Sequence, residues 1–396
     1  MIERVAIEAV IKIVILIGGV MTAAAYLVLV ERWIAAWVQM RRGPSRVGIP
    51  LTKIRLFGLG QPLADGLKFI FKEEYNPAHV DRRIFVLAPI VIMTSALAIF
   101  AVIPFGSVLP PIPALGIEEP IELVIAPNVD VGLIYVFALS SIAVYGVILG
   151  GWASNDKYSF LGALRSSAQL IAYELPLGLG ILGVILATGS LRLETIIHQQ
   201  AASGVWFAFA QPLGAVVFIV AAFAEAARLP FDLPEAEQEL VGGYHTEYSG
   251  LKLLLFLTAE FIHMITASFL IVILFLGGWH FWGLTGSGVD IGWGQAILRI
   301  VILMVKILLV VLFFMLVRWT WPRFRFDQLM ALAWKIMLPL GLVNLVAIAV
   351  LDEFGRDWSA AVWIATGWVV ALLAWFGMAF ASPLLSDNRP QLGRLD

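Results

Sequence analysis

Nine stretches of this chain are apolar for roughly 20 residues, the length a helix needs to cross a bilayer. They lie at about 7–30, 84–105, 131–150, 164–189, 205–224, 251–276, 294–317, 330–350 and 360–380. With 61% hydrophobic and only 14% charged residues, against about 25% charged in a soluble domain, the sequence predicts an all-α polytopic membrane protein. The first run is about 25 residues long and is followed by no A-x-A site. It reads as a retained span rather than a signal peptide, whose apolar region is about 7–15 residues.

Charge distribution sets the expected orientation. Of 26 Lys and Arg, 19 lie in the odd-to-even loops and the C-terminal tail, ten of them in residues 31–83. The positive-inside rule places those loops and the C-terminus in the cytoplasm and the N-terminus outside. No internal repeat or low-complexity linker divides the chain, so residues 1–396 read as a single membrane domain. Cysteine is absent, which excludes disulfides and thiolate-held zinc or iron–sulfur clusters from this chain. No His-rich or Glu-x-x-His cluster suggests another metal. Any redox centre must belong to a partner.

The basic loop at 31–83 is broken by Gly43-Pro44 and Ile49-Pro50. From Gln61 to Phe71, Leu63, Leu67, Ile70 and Phe71 recur at helical spacing, with Asp65, Lys68 and Lys72 on other faces. This predicts an amphipathic helix along the membrane surface, its cations drawn to lipid headgroups. Trp33 and Trp37 fit an aromatic belt.

Ionisable groups also sit inside the spans. Glu8 and Lys12 are an i, i+4 pair that can satisfy each other. Glu174, Glu260 with His263, and Arg299 with Lys306 fall in the fourth, sixth and seventh runs. Charge at membrane depth is costly unless it faces protein, water or a counter-charge, so these are functional candidates. The structural alternative is that acids and bases of neighbouring helices pair to fix packing.

The densest acid lies at 225–248, EAARLPFDLPEAEQELVGGYHTEY, with Glu225, Asp232, Glu235, Glu237, Glu239 and Glu247 against one arginine and one histidine. Leu229, Pro230, Phe231, Leu233 and Pro234 interrupt it, so it is no simple solvated loop. The prolines hold the preceding residues extended, and Gly242-Gly243 allows a tight turn. Close carboxylates share protons and respond to nearby charge. Arg228, one helical turn after Glu225, is expected to pair with it.

Four blocks now carry a family likeness: ER..AAW.Q.RRGPSRVG with QPLADGLKFIFKEE; GGWASNDKYSFLGALRSSAQLIAYELPLGL; AEAARLPFDLPEAEQELVGGYHTEYSGLK with LTAEF; and VRWTWPRFRFDQLM..AWKIMLPL. The sequence resembles the H-type membrane subunits of NADH-quinone oxidoreductase, the respiratory complex I family, which lie at the membrane side of the quinone site. The resemblance implies a non-redox subunit of a proton-pumping translocase in the bacterial inner membrane. It would join the peripheral and membrane arms, with quinone as substrate and FMN and iron–sulfur clusters in partner subunits. Its partners would be the peripheral-arm quinone-site and terminal iron–sulfur subunits, the other membrane-arm subunits and lipid, with no nucleic acid. By motif, Arg32, Trp37, Arg41 and Arg228 would line or guard the quinone tunnel. Asp65, Glu174, Glu225, Glu235, Glu237, Glu247 and Glu260 would form the proton-linked acids, with Lys306 next along the path. The chain departs from the family at Trp33, where lysine is usual, at Ser45 for Asn, and at Phe261 for Tyr. About ten extra residues near 49–57 and the ninth span are also departures. A membrane-bound hydrogenase anchor and an ion-conducting transporter are the rival readings; the PFDLPEAEQELVGGYHTEYSG block and the absence of matched broken helices disfavour them.

Overall fold

The structure, a computed structural model, describes residues 2–48, 55, 57–111, 120–232, 241–286, 292–355 and 359–386. Among them the chain is helical, and its one β pairing is an isolated Leu109–Ile121 bridge. The long helices are α1 (Ile2–Val38), α3 (Arg82–Ala98, extended by a 3₁₀ turn to Ala101), α4 (Gly132–Ala153) and α5 (Lys157–Thr188). Short α2 (Gln61–Phe71) precedes α3, while α6 (Leu193–Ser203), α7 (Phe207–Ala210) and α8 (Pro212–Glu225) lie between α5 and α9 (Gly250–Phe275). The chain continues through α10 (Trp282–Thr285), α11 (Trp293–Thr320), α12 (Phe326–Ala331), α13 (Leu338–Phe354) and α14 (Ala360–Ser386).

Local chemistry sets the boundaries. Asp81 and Asp156 cap α3 and α5 by accepting from backbone N–H groups two and three residues on, as short acceptors at N-caps do. Gly189, at φ +63°, closes α5 in the left-handed conformation. Between α12 and α13, Leu332–Met337 forms a π-helical turn. Pro339 follows at once; it has no N–H for the carbonyl of Lys335, and the widened turn absorbs that loss.

Eight of the described helical stretches are long and apolar enough to cross a membrane. The fifth apolar run differs from the single helix expected over 205–224. It breaks at Gln211 (φ −131°, ψ 60°) into α7 and a 14-residue α8. Pro212 is the cause, since it supplies no N–H and bars the residue before it from the helical region. The first helix also continues through Val38, so 31–38 are helical rather than loop. The expected Glu8–Lys12 pair forms at 2.6 Å.

Helix α9 is the axis of the bundle, with every residue from Met264 to Phe275 buried. A helix apolar on all faces must be covered on all faces, and α1, α3, α8 and α11 cover it. Outermost α14 sets Val370, Ala371, Ala374 and Met378 against Leu213, Val217, Met337 and Leu340. Gly367 brings it so close to the Ala210 carbonyl, at the break, that any Cβ there would collide. The basic segments meet at one end of the bundle. There Arg32 pairs with Asp65, Lys252 with Glu74, and Tyr75 N–H donates to Ser249.

Candidate functional site

After Glu225 the chain leaves the helix through Ala227, at φ +49°. Two side chains of α5 fix the turn that follows. Gln169, fully buried, donates to the carbonyls of Ala224 (3.0 Å) and Phe231 (2.8 Å). Tyr173 packs on the Phe231 ring, which is also stacked with Phe324.

Arg228 thereby turns away from Glu225 and toward the end of α1. Its Nη1 lies 3.1 Å from Glu31, and its guanidinium sits 4.2 Å over the Phe261 ring. Glu31 also binds Arg318, and Asp232 binds Arg323 at 3.3 Å. Two carboxylates and three guanidiniums thus form one knot in which Glu31, Arg228 and Asp232 are buried. Buried ions are tolerated only when paired and hydrogen-bonded. Even so, Nε and Nη2 of Arg228 and Oδ1 of Asp232 are buried with no hydrogen-bond partner among the described residues. The expected Arg228–Glu225 pair does not form. The left-handed step at Ala227 removes the helical i, i+3 relation, and Glu225 instead accepts from Ser140.

Next to the knot, a cavity of about 50 Å³ is lined by Ser140, Ser141, Glu174, Glu225, Tyr244, Glu260 and His263 among others. Each carboxylate has a hydroxyl donor: Ser140 for Glu225, Ser141 for Glu174, and Tyr244 for Glu260 at 3.1 Å. Hydroxyls accept as well as donate, so such a set can pass protons by reorienting. The volume admits a few waters.

Relatives share most of this sequence. A family model described as NADH dehydrogenase matches residues 11–349. The chain is 47% identical over 334 residues to "NADH-quinone oxidoreductase subunit 8" of Thermus thermophilus, covering 84% of this chain and 83% of the relative. It belongs to the NADH dehydrogenase family of NADH-quinone oxidoreductase membrane subunits. Two further relatives agree. An H-type NADH-quinone oxidoreductase subunit of Geobacter metallireducens is 46% identical over 335 residues, covering 85% of this chain and 93% of its own. "NADH-quinone oxidoreductase subunit 8" of Rhodothermus marinus is 45% identical over 349 residues, covering 85% and 94%.

In this member of the NADH dehydrogenase family, the motif-derived residues divide into groups. Glu174, Glu225 and Glu260 line one cavity, and Arg228 lies in the adjoining knot. Arg32 and Asp65, expected in different roles, are an ion pair at 2.7 Å, with Gln61 also donating to Asp65. Trp37 is exposed, and Arg41 donates to Gln39. Trp33 donates its indole N–H to the Pro44 carbonyl and packs on Gly43, which fixes the turn after α1. Glu247 is half-buried and not on the cavity wall. Glu235, Glu237 and Glu239 lie outside the described residues, as do 49–54 of the insertion. Lys306 is away from the acids: its ammonium donates to the carbonyls of Leu276, Gly278 and His280 and faces the Trp206 ring at 4.3 Å. Motif reading missed Glu31, Arg318, Arg323 and the two serines. Glu31, next to Arg32 at the end of a span, carried a signal; the serines did not.

Asp232, bound to Arg323 in the knot, lies within electrostatic reach of Glu260 on the cavity wall. Burial pushes its carboxyl from the ordinary 3.8 up to about 6, the neighbouring charge of Glu260 adds to this, and Arg318, Arg323 and Arg228 oppose it. A carboxyl raised on folding holds its proton longer than in the unfolded chain. Stability is therefore full below the ordinary value and is lost as pH rises toward the folded one. Thermal unfolding of the assembled protein, compared with Asp232→Asn, should show the wild type losing on the order of 3 kcal/mol relative to the variant between pH 4 and 6. Parallel pH curves would contradict this.

Proposed function

We propose that this chain is the membrane subunit of a proton-pumping NADH:quinone oxidoreductase that joins the peripheral arm to the membrane arm. The observation that carries the reading is the acidic cavity beside a buried, incompletely partnered guanidinium. The Glu31–Arg228–Arg318 knot forms the membrane side of the quinone tunnel, with Arg32, Trp37 and Arg41 at its mouth. Phe261, under Arg228, supplies the ring face that a Tyr would, without its hydroxyl. Glu174, Glu225 and Glu260 begin the proton path, fed through Glu235, Glu237 and Glu247. A charge change at the quinone end shifts proton affinity in the cavity through Asp232, because like-charged neighbours raise each other's affinity and cations lower it. Lys306, bound to three carbonyls, fixes the end of α9 and enters the path by its charge.

In this reading α7 and α8 together make the fifth of nine crossings, the N-terminus is outside, and α2 lies on the cytoplasmic surface of the bacterial inner membrane. Its apolar side chains Leu63, Leu67, Ile70 and Phe71 are exposed, which supports a lipid contact. FMN and the iron–sulfur clusters reside in partner subunits.

The test is Glu225→Gln, Glu174→Gln and Glu260→Gln in the intact assembly. Each should leave NADH oxidation by an artificial acceptor unchanged while lowering quinone-linked turnover and proton uptake together by about tenfold or more. The double variants should be less than additive. Normal turnover and pumping in all three single variants would overturn the reading.

A further inference from the structure

A second polar cavity, about 40 Å³, lies at the other end of α9, lined by Ser107, Glu122, Glu194, His198, Trp279 and Arg299 among others. It is more than ten residues along α9 from His263, on the order of 20 Å at 1.5 Å per residue. Two of its polar atoms are left over. The Ser107 hydroxyl and Oε2 of Glu122 are buried without a hydrogen-bond partner among the described residues, and Ser107 is only 6% exposed. Buried polar atoms of this kind call for water or an ion, and the volume suits a few waters. Arg299 supplies a buried cation whose Nε and Nη2 donate to the carbonyls of Thr285 and Gly286. Arg192, just before α6, binds Asp130 and Asn128 and acts by its charge on Glu194.

Between this cavity and the acidic one lies a continuous series of groups. A small void of about 10 Å³ shares Ser140, Glu225, Ala226 and His263 with the acidic cavity and extends to Ile99 and Leu270. Phe100 and Phe269, the chain neighbours of Ile99 and Leu270, make with Phe105 a triad of rings with centroids 5.1 to 6.0 Å apart. The residues directly after Phe105 are Gly106 and Ser107, on the wall of the second cavity.

We propose that Glu122 and Glu194 form a hydrated proton-exchange site on the far face of the membrane, the outer end of a path through this chain that the three phenylalanines close. Burial raises the proton affinity of Glu194 and Glu122 raises it further, while Arg192 opposes. His198, on the same wall, has its proton affinity lowered by burial and then by Arg299, so it does not draw the proton away from Glu194. The O–H electron pair stays on the carboxylate, and the proton passes to outer water. The triad makes the bundle tight, because apolar rings leave a proton no hydrogen-bonding partner to cross to. The inner end of the path rests on the function proposed above; the outer site does not.

The test uses the intact oxidoreductase in sealed vesicles. A water-soluble carbodiimide, which modifies protonated carboxyls, is added from either side over a pH series, and modification of Glu194 is read by peptide mass spectrometry. Glu194 should react from the outer side only, up to a higher pH than an ordinary carboxyl, and Glu122→Gln should lower its midpoint. A midpoint at the ordinary glutamate value, or one unmoved by Glu122→Gln, would overturn the outer site. Phe269→Ala should then raise passive proton leak several-fold, and adding Glu194→Gln should abolish that increase. A leak indifferent to Glu194, or none in assembled Phe269→Ala, would overturn the path. If Phe269→Ala does not assemble, Phe105→Leu serves in its place. Loss of the leak arm with the labelling arm intact removes only the path.

Discussion

Glu31→Gln is expected to be the most damaging single substitution in the charge knot, costing the assembled protein about 3 to 5 kcal/mol, the usual consequence of stranding a buried ion. Glu31 is the shared partner of Arg228 and Arg318. Removing Arg228 leaves Glu31 with Arg318, and removing Arg318 leaves it with Arg228. Removing the carboxylate leaves Arg228, 4% exposed, beside another guanidinium, with Asp232 already committed to Arg323. The expected order of destabilisation is therefore Glu31→Gln, then Arg228→Ala, then Arg318→Ala, whose side chain is a quarter exposed and can be replaced by water. Thermal unfolding and yield of the assembled protein measure it. Arg228→Ala should still abolish most quinone-linked turnover with the artificial-acceptor rate intact. The Glu31→Gln, Arg228→Ala double variant should cost less than the sum, as residues in one network do. Strict additivity would mean that Arg228 draws its stability from elsewhere.

Gly162→Ala should lower quinone-linked turnover on the order of ten- to a hundredfold while the protein still assembles, since small displacements at a positioned site carry costs of that size. A Cβ on Gly162 would lie 2.7 Å from Gly243 Cα and 2.8 Å from the Tyr244 backbone nitrogen. Both are main chain, and Gly243 is held at φ +62°, so neither can rotate aside. The 3₁₀ turn Gly243–His245 must move, and with it the Tyr244 hydroxyl that donates to Glu260. Overpacking of this kind costs about 1–3 kcal/mol in stability. Tyr244→Phe, which removes only the hydroxyl, should reproduce part of the turnover loss without the destabilisation. Full turnover in Gly162→Ala would show that the turn does not control Glu260.

How much could be read beforehand follows from the range of each interaction. The Glu8–Lys12 pair and the bounds of α2 are local, and spacing alone placed them. The break at Gln211 was also local, marked by Pro212, but averaging hydropathy over the 205–224 run hid it. Arg228 and Glu31 are 197 positions apart, so no periodicity could join them. Glu225 is the nearer acid along the chain, and a single left-handed residue at Ala227 turns Arg228 away from it. Ser140 and Ser141 look like any small polar residues in an apolar span until α5 and α8 bring carboxylates to them. The quinone and proton roles came from motif likeness, because a buried carboxylate has the same sequence signature whether it carries protons or fixes packing.

The broken fifth segment has a consequence for how the protein is made. Helix α8, at 14 residues, rises only about 21 Å, short of the roughly 30 Å hydrocarbon layer. By itself it is too short for that layer, and in the crossing proposed above α7 and the Gln211 step complete it. The element that seals this step leaves the ribosome long after it: α14, through Gly367 on the Ala210 carbonyl. Until α14 arrives, the Ala210 carbonyl lacks this cover, which in the proposed crossing would leave main chain at the break open to hydrocarbon. Helix α14 thus closes the bundle in time as well as in space: a nascent chain halted before Ala360 would leave the step at Ala210 without its cover.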